Sequence, residues 1–381
     1  MSLVIDEHRQ YLADRSRVAH YERALREVVR PGDLVVDLAS GTGILGLLAC
    51  RAGAARVVAI EADPIAGIAR TIACVNGYGD RIRVLRSEAR HARLDERADV
   101  IVSDQIGRFG FEAGVLGLFA DARARLLKPG GRLIPSALAL VVAPVEHPRQ
   151  FARVAFWRRR VAGFDFGPVA AIAANTGYPT RLSASQLLGD PAVGCRLDLS
   201  ADTPSPLRID TNFSATRAGT LDGIGGWFEA QLSPSVSLSN SPTDPDRMTR
   251  RQVFFPVASP VAVAKGDAID LAMRILPEDH IVSWTITVTP ASGPSVRSSH
   301  STLKGMLLEA SDMHKTDPAY RPALTARGAA RRSVLELCDG VRTLAEIEAD
   351  VFARHPGLFT SAGEAALFVG EVVTRYTRDA T

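Results

Sequence analysis

Residues 34–46, LVVDLASGTGILG, constrain this chain more than any other stretch. An apolar run, LVVDL, leads into the turn Ala39-Ser40-Gly41-Thr42-Gly43, and the apolar segment ILGLLACRAG follows at once. That order reads as a buried strand, a tight Gly-rich turn and the N-terminus of a helix. Glycines at such a turn permit sharp turning and let the backbone approach a ligand closely. The next apolar run, RVVAIEAD, reads as a second strand ending in an acid, Glu61, 18 residues beyond Gly43.

The same alternation continues through the first 140 residues, as a parallel α/β sheet requires. IAGIARTIACVNG is predicted to be a helix closed by Asn76-Gly77. RIRVLRSEA and DVIVSDQ read as strands three and four. GVLGLFADARARLLKPGG reads as a helix stopped by Pro and Gly, with RLIPSALALVVAPVE continuing as a strand. After Pro148 the runs become short, β-rich and broken by Pro, Gly, Ser and Asp, among them GCRLDLSAD, SVSLSN, RRQVFFPVASPVAVAKGD and HIVSWTITVTP. This predicts an antiparallel sheet or barrel. From about Asp317 three short helices are expected, one of them opened by a capping box at Thr343 and Glu346.

Composition removes several classes. With 381 residues, 46% of them hydrophobic, the chain predicts two or three domains with ample core. The net charge of +3 is too small for a disordered chain. The four cysteines, Cys50, Cys74, Cys195 and Cys338, lie far apart without a CxxC pair, so neither a zinc site nor a disulfide framework is indicated. The N-terminus lacks the apolar region of a secretory signal. The longest apolar stretch, Ala137 to Val145, falls far short of the ~20 residues of a membrane span. A soluble, cytoplasmic protein is predicted. Only four of the 45 basic residues are lysine, and the arginines are interleaved with acids. The densest clusters, Arg158-Arg159-Arg160 and Arg250-Arg251, read as solvated surface, since nucleic-acid binding would need a continuous basic stripe with aromatic partners.

The turn after the first strand is shorter than the GxGxxG of a dinucleotide site and better fits a loop for S-adenosylmethionine, with Glu61 placed to accept hydrogen bonds from ribose hydroxyls. On these residues the chain resembles class I S-adenosylmethionine-dependent methyltransferases and, more narrowly, the protein arginine methyltransferase group, over roughly residues 8 to 285. The resemblance implies an α/β architecture: a Rossmann-like methyltransferase domain (1–145) and an antiparallel β-barrel substrate domain (146–316); the three short helices beyond, unlike that family, suggest a small helical, winged-helix-like domain (317–381). It places an N-terminal helix, HRQYLADRSRVAHYERAL, over the cofactor, with His8, Asp14, Arg17 and Tyr21 at matching spacing. Arg17 would pair with the methionine carboxylate and His8 would line the pocket. Asp37, Ala39, Gly41, Thr42 and Gly43 fall on the loop, Glu61 and Ala62 at the ribose, and Glu88 and Ala89 beside the adenine. Ala39 stands where the family has its first glycine.

The family's two substrate-holding glutamates correspond to Asp104 and Glu112, one residue closer together than usual and with one acid a methylene shorter. These are the candidate catalytic residues. The family's Thr-His-Trp loop aligns with Arg247-Met248-Thr249, so the His expected to pair with Asp14 is absent, and no obvious dimerisation arm is visible. Another small cationic nitrogen then competes with arginine as substrate.

The stretch LTARGAARRSVLELCDGVRTLAEIEADVFARHPG is similar to small domains that bind the leader segments of ribosomally made, modified peptides. That resemblance implies a leader strand added to an exposed β-edge, with LKGMLLEASD the only candidate for the usual hairpin; a helical cap or a dimer contact is the competing reading. The expected function is S-adenosylmethionine-dependent N-methylation of a peptide during maturation of a natural product. The alternatives are a protein arginine methyltransferase, or a silent module that binds cofactor or peptide. Relatives of this architecture are commonly dimers, so a homodimer belongs among the expected partners. No metal is implied.

Overall fold

The computed structural model describes residues 4–306 and 319–378, which fall into two compact units, Met1–Met306 and Leu307–Thr381. The first unit opens with two helices, α1 (Val4–Ala13) and α2 (Arg15–Val28), where one continuous helix was expected. Asp14 makes the break. It leaves the helical conformation and accepts the Arg17 backbone N–H, so it caps α2.

Five parallel strands follow: β1 (Leu34–Leu38), β2 (Arg56–Glu61), β3 (Ile82–Arg86), β4 (Ala98–Ser103) and β5 (Leu127–Ile134), ordered β3-β2-β1-β4-β5. The helices α3 (Ile44–Ala52), α4 (Ile65–Val75) and α5 (Val115–Arg125) connect them. All five residues of β1 are buried, as a strand covered on both faces requires. The chain leaves β1 toward β2 on one side and β4 lies on the other, so the strand order reverses at β1. In open α/β sheets ligands bind beyond the carboxyl ends of the strands at such a point.

The expected single strand after α5 is two. β5 completes the parallel sheet, and β6 (Ala137–Val145) enters an antiparallel one. Between β6 and β9 (Tyr178–Thr180) lies an insert: α6 (Pro148–Ala155), a hairpin of β7 (Arg160–Val161) and β8 (Phe164–Asp165), and α7 (Pro168–Ala173). Then come β10 (Ala192–Asp198), β11 (Leu207–Ser214), β12 (Gly219–Ser233), β13 (Val236–Ser239), β14 (Gln252–Val263), β15 (Ala268–Leu276), β16 (Ile281–Thr289) and β17 (Val296–Ser301).

These strands form two antiparallel sheets, β10-β6-β12-β14-β9 with β13 on β12, and β11-β15-β16-β17. Among the described residues the two are not closed into a barrel by hydrogen bonds, which corrects the barrel expectation. Side chains join them instead. β15 and β16 alternate, burying Ile269, Leu271, Met273, Ile275, Trp284 and Ile286. Trp284 donates its indole N–H to the Pro256 carbonyl at 3.0 Å and packs on Phe255.

The second unit holds helices Ala326–Leu337, Leu344–Arg354 and Ala362–Tyr376 around Val334, Ile347, Val351, Phe368 and Val372. Thr343 and Glu346 form the anticipated capping box. No strand occurs among its described residues, so they supply neither a wing nor a β-edge for a leader segment. Of the candidate hairpin LKGMLLEASD, residues 303–305 lie in a short 3₁₀ turn of the first unit and residues 307–312 lie outside the described residues.

Candidate active site at the reversal point of the parallel sheet

β1 delivers Asp37, and the chain then passes through three left-handed residues in five: Ala39 (φ 53°), Gly41 (φ 55°) and Gly43 (φ 82°). The two glycines adopt this freely, whereas Ala39 bears a cost of about 1 kcal/mol. Glu61, at the end of β2, holds the turn. Its Oε2 accepts the Gly41 N–H at 2.7 Å and its Oε1 accepts the Asp63 N–H at 2.9 Å. A Cβ on Gly41 would also meet the His8 ring at 2.8 Å, so a larger residue there would push that ring aside. Thus His8, on α1, lies over the turn. Thr42 is half-buried, and Ala62 is exposed directly after Glu61.

Asp37 is fully buried. Its Oδ2 accepts the Gly46 N–H at 2.8 Å, while Oδ1 has no partner, and neither has the buried Ser40 Oγ. Burial pushes the Asp37 carboxyl up to about 7. Between the ordinary carboxylate range and that value, the folded protein holds one proton more than the unfolded chain, so stability falls as pH rises. The ligand-free protein should therefore lose on the order of 3 kcal/mol between pH 4.5 and 7.5 through this group. Asp37→Asn should remove that part of the dependence. Urea melts across this range check it, and parallel wild-type and variant curves would contradict it.

Glu88 precedes the turn Ala89–His91, and its exposed side chain pairs with Arg90 at 2.6 Å. Only the main chain stays close to the site, with the Ser87 N–H donated to the Glu61 carbonyl. Ala89 is half-buried in that turn.

β4 ends at Ser103, whose hydroxyl donates to the Leu38 carbonyl and ties the ends of β1 and β4 together. Asp104 follows. One of its oxygens, Oδ2, accepts from Arg17 Nε at 2.5 Å and from an Arg250 terminal nitrogen at 2.9 Å. Burial works against the charge on Asp104, but Arg250 and Arg17 outweigh it and hold the carboxyl below the ordinary range. Asp104 is therefore an ionised anchor and a poor proton acceptor. Arg17, expected to await a carboxylate from a ligand, rests on Asp104 and against the rings of Tyr11 and Tyr21.

Glu112 folds back onto its own loop. Oε2 accepts the N–H groups of Arg108 (3.1 Å) and Phe109 (2.8 Å), and Oε1 accepts Phe109 at 3.0 Å. Gly107 permits this, as a Cβ there would stand 2.5 Å from Glu112 Oε2. The loop is anchored by Phe109, fully buried against Phe111 and Phe255. Gly226 of β12 makes room for that ring, since a Cβ there would lie 2.9 Å from it.

The structure adds residues that sequence reasoning missed. Thr249 donates its N–H and hydroxyl to Asp14 Oδ2 at 2.7 and 2.9 Å, filling the contact left without its His. Arg250, read as solvated surface, reaches Asp104 and the Gly107 carbonyl. Asn240 donates to the carbonyls of Arg108 and Arg251 and so joins the acidic loop to this one. The adjacent arginines were a visible signal; their partner was not.

Comparison with known proteins places the chain in a family. Residues 22–140 match the family described as "Ribosomal protein L11 methyltransferase (PrmA)", and residues 137–286 match the "Arginine methyltransferase oligomerization subdomain". The "Probable protein arginine N-methyltransferase 6" of Arabidopsis thaliana is 28% identical over 76% of this chain; the chain spans 66% of that relative's length. The "Arginine N(omega)-methyltransferase" of Streptomyces achromogenes subsp. streptozoticus is 30% identical, over 70% of this chain and 75% of its own. A solved chain of the Trypanosoma brucei PRMT1 enzyme–prozyme heterotetrameric complex with AdoHcy shares the fold at TM-score 0.71 and 21% identity, over 77% of this chain and 97% of that one. The chain belongs to the protein arginine methyltransferase family of S-adenosylmethionine-dependent enzymes.

Proposed function

We propose that this chain transfers a methyl group from S-adenosylmethionine to a guanidino nitrogen of arginine. The observation that carries the reading is Asp104, a nearly buried carboxylate that already receives two guanidinium groups, from Arg17 and Arg250. A carboxylate that holds in-chain guanidinium groups has the chemistry to hold one from a substrate.

The residues at the reversal point fit the cofactor. The left-handed turn brings backbone close to a ligand, Asp37 Oδ1 and Ser40 Oγ are buried polar atoms in want of a partner, and His8 lies over Gly41. Glu61 would receive the ribose hydroxyls and Arg17 the methionine carboxylate, with Asp37, Ala39, Gly41, Thr42, Gly43, Ala62 and Ala89 lining the rest. Glu88, turned outward onto Arg90, is left out of the set. The bound cofactor supplies an electrophilic methyl on a sulfonium.

Asp104 and Glu112 orient and partly neutralise the guanidinium. Glu112 is the carboxylate assigned the proton, because among the described residues it makes no ion pair and its Oε1 takes a single loop N–H. Positioning carries most of an in-line displacement at carbon, and a nearby carboxylate receives the proton that the nitrogen must lose. Incubation with cofactor and either free arginine or an arginine-rich peptide, followed by mass spectrometry, tests the reading. Methyl found only on amino groups would defeat it. Recruitment of a leader peptide by residues 317–381 finds no support, because such a strand needs a β-edge and none occurs among the described residues there.

The insert between β6 and β9 exposes Phe156, Val161, Phe164 and Phe166, with Phe164 70% exposed. It lies within the stretch matching the oligomerization subdomain, and a second copy of this chain is its proposed partner. Phe164→Asp should shift the protein from dimer toward monomer in sedimentation. A wild-type monomer at micromolar concentration would refute the dimer.

A further inference from the structure

We propose that Arg250 is a specificity-determining residue of this site: a built-in guanidinium that occupies Asp104 and competes with a guanidinium substrate for it. This rests on the reading of arginine as substrate. Arg250 is held at two acceptors of the acidic loop, Asp104 Oδ2 at 2.9 Å and the Gly107 carbonyl at 3.2 Å, and its side chain is only 15% exposed. Its neighbour Arg251 is exposed and, among the described residues, makes no ion pair, so the burial of Arg250 comes from its place and not from the local sequence.

The consequence follows from charge and geometry. Asp104 Oδ2 serves two arginines at once, while among the described residues its other oxygen has only a long contact, 3.4 Å, to the Tyr21 hydroxyl. When Arg17 turns to the cofactor carboxylate, Arg250 remains as the counter-ion of Asp104. The loop then offers an incoming cation the free charge of Glu112 alone. A guanidinium that needs both carboxylates must displace Arg250 and forgo part of the charge-assisted pairing. The site is tuned to hold arginine loosely and to reject cations that cannot match the forked geometry Arg250 itself uses.

The test is calorimetry on the full chain saturated with S-adenosylhomocysteine, using N-acetylarginine amide as a cationic probe without a carboxylate. Wild type, Arg250→Gln and Arg250→Lys are compared, with thermal melts to confirm folding and methylation assays on arginine alongside. Arg250→Gln should bind the probe about tenfold more tightly or better, as expected for removing a charged competitor, and its KM for arginine should fall with it. Arg250→Lys keeps the charge but cannot reach Asp104 and the Gly107 carbonyl with one planar group, so its binding should fall between wild type and Arg250→Gln. Equal or weaker binding by Arg250→Gln would overturn the proposal, as would an equal gain in Arg250→Lys, which would indicate packing. Tighter probe binding without methylation of arginine by any variant would instead overturn the substrate reading and leave the competition standing.

Discussion

Glu112→Gln is expected to lower kcat/KM by about 10²–10³, the range typical of losing a positioned proton acceptor. Two effects add. The amide cannot take a proton from the attacking nitrogen or balance the charge of a guanidinium. It also retains a single acceptor oxygen where the carboxylate uses two to receive the N–H groups of Arg108 and Phe109, and its NH₂ would confront one of those donors. Cofactor affinity, measured by calorimetry, should change little, since Glu112 sits on the loop after β4 and away from the Glu61 turn. The fold should hold because Phe109 still anchors the loop in the core. Steady-state turnover within threefold of wild type would show that Glu112 only braces the loop.

Glu61→Ala should weaken binding of S-adenosylmethionine by about 10²-fold or more, because two charge-assisted hydrogen bonds of roughly 1.5–3 kcal/mol each are removed. In the ligand-free protein that carboxylate already accepts from Gly41 and Asp63, so its loss also loosens the turn the cofactor must meet. Glu61→Gln separates the two. One amide oxygen can keep the Gly41 bond but the NH₂ then faces the Asp63 N–H, so its melting temperature should fall less than in the alanine variant while affinity falls by an intermediate factor of about ten. Unchanged affinity in the alanine variant, by calorimetry, would break the assignment of the ribose site.

The parallel half of the molecule was legible residue by residue. β1 and β2 are covered on both faces, so LVVDL and RVVAIE are continuous apolar runs that no exposed helix would present. The turn at 39–43 announces itself through glycines, and Glu61 follows at the end of the next strand. The helix break at Asp14 was not legible, because helical periodicity runs through HRQYLADRSRVAHYERAL without a Gly or Pro. The 15-residue β12 was also hidden, since its glycines weaken a strand signal. They are there for tertiary reasons: a Cβ at Gly223 would lie 2.3 Å from the Phe255 carbonyl, and one at Gly226 would strike Phe109.

For the site, the sequence by itself determined which acids, glycines and basic groups the chain possesses and which strand ends carry them. That placed Asp37, Glu61 and Asp104 at the carboxyl ends of neighbouring parallel strands, because the strand–helix alternation leaves few other arrangements. Only the tertiary structure decided the pairings. Asp104 takes Arg17 from α2 and Arg250 from the segment before β14, at sequence separations of 87 and 146 residues. Glu112 turns inward because Gly107 leaves space for its carboxylate, and Thr249 fills the contact at Asp14. A charge in the sequence has a sign but no partner. The partner is chosen by which backbones the packed core brings within hydrogen-bond distance, and burial then sets how strongly the pair is held.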